Sequence, residues 1–523
     1  MGRMKGRMTL RPARLPDGYY NAALDLLDRN LEEGRGEALA VIDDAGRYSY
    51  AELTERANRF ANALESLGFQ REERLLLALF DTVDFPTAFL GAIKAGVIPV
   101  PVNTLLTEQD YATMLADSGA RGLVVSLPLR AKFETALTQH GRQLRAVIVS
   151  GGAEASLPSL LAAAAPQHEP AATHADDFCF WLYSSGSTGS PKGAVHLHGS
   201  LMATAKLYAQ PVLGIRATDR VFSAAKLFFA YGLGNALTFP FSVGATAILM
   251  AERPTPAAVA KRLVEQRPTI FYGVPTLYSL MLAGDELPPK EQLSLRLCVS
   301  AGEALPEELG KRWKQRTGVD ILDGIGSTEM LHIFISNRLG DLRYGSSGRP
   351  VEGYEAKLVG EDGRPVAPGE IGDLLVAGPS CCVLYWRKRE KSRETFLGVW
   401  TRTGDKYRLD EDGYWVYCGR SDDMLKVSGQ YVSPFEVEAA LVTHPAVLEA
   451  AVVAHYDEDR LVKPKAYVVL KEAGAGGGLE EALKVHVKGR LAPFKYPRWI
   501  EFVPELPKTA TGKIQRFKLR RSG

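Results

Sequence analysis

No stretch of this sequence is apolar for long enough to cross a bilayer. Its longest apolar runs, residues 89–93 and 96–102, are separated by Lys94 and broken by prolines, whereas a spanning helix needs roughly 18 or more apolar residues. No association with a membrane is therefore expected. An excess of one charge sign is lacking too. The 63 Lys and Arg against 61 Asp and Glu leave a net charge of +2, which provides no broad electrostatic footprint for nucleic acid or an anionic surface. Cysteine is scarce. The five, Cys179, Cys298, Cys381, Cys382 and Cys418, are odd in number and lack Cys-x-x-Cys spacing. Neither a disulfide framework nor a zinc site is expected, and a reducing cytoplasm suits such a chain. The basic start, MGRMKGRMTLRPAR, has no apolar core behind it, so it does not read as a secretory signal, and residues 1–18 are expected to be disordered. No internal repeat is visible.

What is present is a chain of 523 residues with 46% hydrophobic and 24% charged side chains, ordinary for globular protein and too long for one core. Apolar, β-branched runs at 74–80, 121–127, 145–151, 245–251, 269–275 and 295–302 alternate with amphipathic segments. That alternation predicts parallel sheets with helices on both faces. The segment 48–68 is a predicted helix, with Leu53, Ala57, Phe60, Ala61 and Leu64 on one face. From about residue 350 the texture changes to short strands and Gly-containing turns, at 360–378 and 408–420, which read as hairpins. After Arg420 a compact unit of about 100 residues begins, in which 437–456 reads as helix then strand. The expected architecture is α/β: a large N-terminal domain over 19–420 with a β-rich subdomain at about 350–420, and a small mobile α+β domain over 421–523.

The stretch YSSGSTGSPKG (183–193) carries the first chemistry. Gly186, Gly189 and Gly193 permit a tight loop with converging N–H groups, and convergent donors select an anion. Ser184, Ser185, Ser187 and Thr188 add hydroxyl donors and Lys192 a mobile cation. The spacing is not that of a Walker loop, because Gly193 rather than Ser or Thr follows the lysine. In GIGSTEM (324–330) Glu329 stands where the third glycine of a dinucleotide fingerprint belongs, so that reading is weak. A carboxylate beside Thr328 can instead hold Mg²⁺ on a polyphosphate. In TRTGD (401–405), Asp405 ends a tight turn as a fixed carboxylate of the kind that grips ribose hydroxyls. GRSDDMLKVSGQYVSPFEVE (419–438) sets charges at the expected domain boundary, and PKTATGKIQR (507–516) presents Lys513 in a Pro-bounded loop.

Singly these segments are weak signals. In this order, with AGEALP (301–306) before the second, they resemble the adenylate-forming superfamily of acyl-CoA synthetases, peptide-synthetase adenylation domains and luciferases, from about residue 20 to 520. Segments 223–240, 323–334 and 431–453 are similar to those of the members that activate benzoate. The resemblance implies a two-step ligase using ATP, Mg²⁺ and coenzyme A: a carboxylate attacks the α-phosphorus, and the thiol then displaces AMP. It implies that Ser184, Ser185, Gly186, Ser187, Thr188, Gly189 and Lys192 hold the β- and γ-phosphates. Gly302, Glu303, Ala304 and Asp323 would frame the adenine, and Gly324, Ile325, Gly326 and Ser327 would also bind the nucleotide. Thr328 would meet the α-phosphate, Glu329 the Mg²⁺, and Asp405 and Arg420 the ribose. Lys513 would bridge the carboxylate and the α-phosphate, so Lys513, Thr188 and Glu329 are the expected catalytic residues. Asp422 would be the hinge on which the small domain rotates, and Ser428, Gly429 and Tyr431 would meet coenzyme A. Phe229, Ala230, Tyr231, Phe239, Ile325 and His332 would line the pocket for the acid. Many members carry an aromatic residue where Ile325 stands, so adenine stacking here would be aliphatic contact. Benzoate is the expected acid; 4-hydroxybenzoate, 2-aminobenzoate, cyclohexanecarboxylate or a short fatty acid are the rivals, and loading of a carrier protein is the rival of another class. Expected partners are small molecules, not nucleic acid. Pro507, Gly512 and Lys513 fit the pattern that lysine acetyltransferases recognise in this superfamily, and a second copy of the chain is a further candidate partner.

Overall fold

In a computed structural model of the chain, describing residues 10–152, 156–185, 191–421, 423–427, 430–458, 461–472, 478–508 and 514–520, the predicted apolar runs become parallel strands. A nine-stranded sheet runs, edge to edge, Arg349–Pro350, Ile333–Ser336, Ile321–Gly326, Leu297–Ser300, Ile270–Gly273, Arg220–Ser223, Thr246–Ile248, Leu39–Ile42 and Arg47–Ser49. Its six central strands pair in parallel and its edges antiparallel. A second sheet, Ile98–Pro101, Arg74–Ala78, Gly122–Ser126 and Ala146–Ser150, is wholly parallel. Strands buried on both faces read as continuous apolar runs, which is why these were visible in sequence.

The helix expected over 48–68 is Tyr50–Ser66. Tyr48 belongs instead to the strand Arg47–Ser49, and Ser49 is the N-cap that separates the two. Ser49 Oγ accepts from the Glu52 N–H (3.2 Å) and Glu52 Oε2 accepts from the Ser49 N–H (2.8 Å), satisfying two otherwise orphaned donors. Leu53, Ala57, Phe60, Ala61 and Leu64 are buried on one face as expected. The N-terminal arm meets the body where the Ala13 N–H donates to Asp28 Oδ1 (2.9 Å).

The hairpin texture after residue 350 is a five-stranded antiparallel sheet in which Glu355–Val359 pairs with Gly372–Ala377 and Trp400–Leu409 with Trp415–Arg420. The smaller C-terminal domain has its own core, with Leu425, Val437, Leu441, Val452, Leu483 and Val487 among its buried side chains. In it the helix Pro434–Val442 leads to the strand Val447–Tyr456, which pairs antiparallel with Val462–Leu470. The junction turns at Gly419, whose φ of 130° is closed to side chains and whose Cβ would meet Met424 Sδ at 3.0 Å. Among the described residues no helix is long and apolar enough to cross a membrane.

The arrangement positions a site at one edge. Residues 224–231, 301–304 and 327–329 all follow the carboxyl ends of strands in the nine-stranded sheet, where open α/β sheets leave crevices for ligands.

Candidate active site

The Ser- and Gly-rich stretch is narrower as a loop than its composition suggests. Tyr183, Ser184 and Ser185 end the strand Phe178–Ser185, and Lys192 and Gly193 lie in Pro191–Leu197, paired as Tyr183↔Gly193 and Ser184↔Lys192. Gly193 is therefore a strand residue rather than part of the tight loop, set opposite the Tyr183 ring, which a Cβ would meet at 3.4 Å. A hairpin thus presents Lys192 and the buried Ser184 Oγ, which has no hydrogen-bond partner among the described residues. Gly186, Ser187, Thr188 and Gly189 lie outside the described residues, as does the Ser185 side chain.

Tyr385 joins this hairpin to the acidic turn. It belongs to the strand Leu384–Tyr385, which pairs with Ala194 and Val195. The Lys192 ammonium sits 4.7 Å from its ring centroid, a cation–π contact, and its hydroxyl donates to Glu329 Oε1 at 2.6 Å. The backbone of the same turn is held from both sides: the Cys382 N–H donates to the Glu329 carbonyl (2.7 Å) and His196 Nε2 donates to the Thr328 carbonyl (2.9 Å). Ser327 Oγ accepts from the Met330 N–H (3.1 Å). A cation and a carboxylate face one region through a single tyrosine. Nothing in the residues near Tyr385 announces that role, and sequence reasoning missed it.

Asp323 lies on Ile321–Gly326, one strand from Leu297–Ser300 and the turn that follows it. It is buried, with Oδ1 unpartnered among the described residues, and burial pushes its carboxyl well above the usual range. Gly302 takes a φ of 92°, and Thr276 Oγ1 donates to Glu303 Oε2 (3.2 Å), with Ala304 half-buried beside it. Gly324 and Gly326 serve packing: a Cβ on Gly326 would meet the His332 carbonyl at 2.6 Å across the antiparallel edge pairing. Ile325 packs against the main core. Asp405 and Arg420 face each other across the Trp400–Leu409 hairpin, Arg420 Nη1 donating to Asp405 Oδ1 (2.9 Å) and to the Thr403 carbonyl (3.2 Å). Asp405 raises the guanidinium above its already high value.

Of the residues expected to line the acid pocket, Tyr231, Phe239 and His332 fall into one cluster of rings, whereas Phe229 makes its ring contact with Phe228. Phe239 meets His332 edge-on with centroids 4.4 Å apart, and Tyr231 and His332 are 5.5 Å apart. Tyr208, missed in sequence, lies 5.4 Å from His332 and 5.9 Å from Phe239. Phe229 caps the short helix Ala230–Leu233, and Ala230 is buried behind it. The Tyr231 hydroxyl lies 3.1 Å from the Val299 carbonyl and 3.2 Å from that of Gly273, so its proton is committed to backbone. His332 Nε2 is 3.0 Å from Asn235 Oδ1, and burial pushes the imidazole down to about 3. The neutral ring donates there and keeps an acceptor at Nδ1, which is buried and unpartnered among the described residues.

Asp422, Ser428, Gly429 and Lys513 lie outside the described residues, and for Tyr431 only the backbone, in the strand Gln430–Val432, is described. Of the described residues nearest to Lys513 in sequence, the Gln515 N–H donates to the Pro507 carbonyl (2.7 Å).

Comparison with known proteins gives matches over nearly the whole chain. The AMP-binding enzyme family model matches residues 27–386, and the AMP-binding enzyme C-terminal domain model matches 436–513. The chain is 61% identical over 504 residues to a benzoate–CoA ligase of Thauera aromatica, covering 96% of each. It is 49% identical to a 4-hydroxybenzoate–CoA/benzoate–CoA ligase of Rhodopseudomonas palustris, covering 97% of this chain and 95% of that one. A solved benzoate CoA ligase from Burkholderia xenovorans LB400 superposes with a TM-score of 0.90 at 57% identity, covering 96% of this chain and all of the other.

Proposed function

The chain belongs to the AMP-binding enzyme family, and from that membership and the site we propose that it ligates benzoate to coenzyme A through a benzoyl-adenylate. The benzoate carboxylate attacks the α-phosphorus of ATP and pyrophosphate leaves; the coenzyme A thiol then attacks the acyl carbon and AMP leaves. The observation that carries the reading is the 61% identity to a benzoate–CoA ligase over 96% of the chain. The ring cluster supports it, since flat aromatic walls match a single ring by area and by edge-to-face contact.

The roles follow from chemistry at each place. Attack of one anion on another requires charge neutralised at the carboxylate and at the α-phosphate. Lys513 takes that task, and Thr328 positions the α-phosphate. The hairpin around 184–192 cradles the terminal phosphates, with Lys192 as its cation. Asp323 is suited to adenine because its unpartnered Oδ1 can accept from the exocyclic amine. Asp405 binds the ribose hydroxyls with Arg420 fixing its rotamer. Mg²⁺ is usually bound by one or two carboxylates plus substrate phosphates, and Glu329, oriented by Tyr385, fits that requirement. When bound, the ion offsets phosphate charge. Ser428, Gly429 and Tyr431 meet coenzyme A, and Asp422 is the pivot between the two half-reactions. Acetylation of Lys513 removes its charge and stops adenylation. Self-association and a cytoplasmic location belong to the same reading.

His332 Nδ1 and the 49% identity to a 4-hydroxybenzoate–CoA/benzoate–CoA ligase favour hydroxybenzoates as secondary substrates, because a ring hydroxyl can donate to that nitrogen. With the Tyr231 hydroxyl committed to backbone carbonyls, the site is not built around a substrate hydroxyl, and benzoate comes first. AMP release with free coenzyme A, measured across benzoate, 4-hydroxybenzoate, 2-aminobenzoate, cyclohexanecarboxylate and acetate, tests the assignment. Benzoate should lead in kcat/KM. A lead of about tenfold or more for any other acid, a difference of roughly 1.4 kcal/mol in transition-state binding, refutes it.

A further inference from the structure

Leu331 closes the acidic turn in a conformation that its side chain disfavours. It is buried with a φ of 65°, in the left-handed region where a bulky residue is strained, and its N–H donates to the Thr328 carbonyl at 3.2 Å. Such strain persists only where the surroundings over-determine it. Here three successive carbonyls are each held by a donor from outside the turn: Thr328 by His196 Nε2 (2.9 Å), Glu329 by the Cys382 N–H (2.7 Å) and Met330 by the Ser380 hydroxyl (2.7 Å). Of these donors, the His196 imidazole is the least suited to its surroundings. It is fully buried and pairs across the hairpin with Phe180, the ring centroids 5.1 Å apart and the planes at 15°. Its Nδ1 is buried and unpartnered among the described residues, a penalty that an aliphatic side chain on Phe180 would not carry. Local rules are broken in this way where function requires it. Lys192, Ala194 and His196 alternate onto one face of the strand Pro191–Leu197: Lys192 meets the Tyr385 ring, Ala194 packs with Cys382 and Tyr385, and His196 reaches Thr328. One strand face thus carries the cation assigned to the terminal phosphates and, roughly 13 Å further along, the donor to the residue assigned to the α-phosphate.

We propose that His196 is a positioning residue for the α-phosphate contact: by holding the Thr328 carbonyl, it fixes the backbone from which the Thr328 hydroxyl meets the α-phosphate. This rests on the role given to Thr328 above. Burial pushes the imidazole down to about 4, so at neutral pH the ring is uncharged and its single proton sits on Nε2, facing the carbonyl. His196 acts through Thr328 rather than on the nucleotide itself. Its effect is therefore confined to ligands that carry an α-phosphate, because Asp323 and Asp405, assigned to adenine and ribose, lie outside the turn.

AMP and adenosine differ by the α-phosphate alone, so their dissociation constants, measured by isothermal titration on the full chain, isolate this contact. His196→Met keeps the apolar volume and removes the donor. It should weaken AMP about tenfold, the scale of one charge-assisted hydrogen bond, and leave adenosine within about twofold. His196→Gln, whose amide can donate from the place of Nε2, should recover most of that loss. Added to Thr328→Val, which removes the hydroxyl being positioned, His196→Met should weaken AMP little further, because residues that act through one contact are not additive. In catalysis His196→Met should lower the kcat of benzoate-dependent ATP–pyrophosphate exchange about tenfold with little change in the KM for ATP, since the terminal phosphates keep their own contacts. Equal weakening of AMP and adenosine, no weakening of either, or additive losses in the double variant overturns the proposal. Should His196→Met fail to fold, His196→Asn, whose shorter amide falls short of the carbonyl, gives the same reading. Should the parent adenylate no aryl acid, the reading of function falls, while the AMP and adenosine constants still decide the role of His196.

Discussion

Tyr385 shows how one side chain can serve two charges. Its ring lies under Lys192 and its hydroxyl on Glu329, so Tyr385→Phe separates the two functions. The ring contact survives and the carboxylate loses its orienting donor. The Mg²⁺ concentration giving half-maximal adenylation should then rise roughly 10- to 100-fold with little change in the KM for ATP. Tyr385→Leu, which removes both contacts, should raise the KM for ATP as well, and equal behaviour of the two variants would count against this division. Lys513 carries a different expectation. Lys513→Ala should lose benzoate-dependent pyrophosphate exchange by several orders of magnitude, yet convert supplied benzoyl-adenylate to the thioester at near the parent rate; loss of both steps alike rejects it. Legibility follows from the same contrast. Lys192, Glu329, Asp405 and Arg420 stand in short motifs whose chemistry is local and can be read along the chain. Tyr385 meets Glu329 across 56 residues, and Tyr208 reaches His332 only because their elements pack together. Neither contact has a local pattern to betray it.

Among the elements, the parallel strands were legible because each is a continuous apolar run, and the capped helix Tyr50–Ser66 because its face repeats with helical period. Which strands are neighbours was not legible, since pairing is decided by packing of whole layers. The turn at 226–229, ahead of the helix Ala230–Leu233, is one consequence. Asp81 follows the strand Arg74–Ala78 of the four-stranded sheet, yet both its oxygens lie 3.3 Å from the Leu227 N–H. A buried carboxylate thereby ties one sheet to the segment that carries Tyr231. Asp81→Asn should raise the KM for the acid by about tenfold, the worth of a charge-assisted hydrogen bond, with the KM for ATP unmoved; parallel changes in both would deny Asp81 that positioning role. At the other junction, proline fixes φ near −65°. Asp422→Pro should therefore slow thioester formation far more than adenylate formation, and an unaltered ratio of the two half-reaction rates would remove Asp422 as the pivot.

For the whole molecule, four imidazoles set the response to acid. Burial pushes His168, His196 and His198 down to about 4 and His332 to about 3, so the unfolded chain takes up protons below about 6.5 that the folded chain refuses. Their contribution is complete above 6.5 and is lost as pH falls towards 4. Asp81, pushed up to about 6 by burial, and Asp323, which burial raises well above the usual carboxylate range, act in the opposite sense because the folded chain holds their protons more tightly. Four histidines outnumber the two carboxylates, so the net contribution of these groups falls between about 6 and 4.5. Urea midpoints should fall progressively from pH 6.5 through 5.5 to 4.5, and a flat series would contradict the assignment of these histidines as buried and neutral. The order of strands in the wide sheet also has a meaning in time. Leu39–Ile42 is flanked on one side by Arg47–Ser49, made almost at once, and on the other by Thr246–Ile248, made some 200 residues later. At about 5 to 20 residues per second a ribosome needs on the order of ten to forty seconds to supply that second neighbour. Throughout that interval the nascent chain exposes an apolar strand edge, so chains arrested before residue 246 should be held by chaperones or aggregate, and those released after the nine-stranded sheet can close should not.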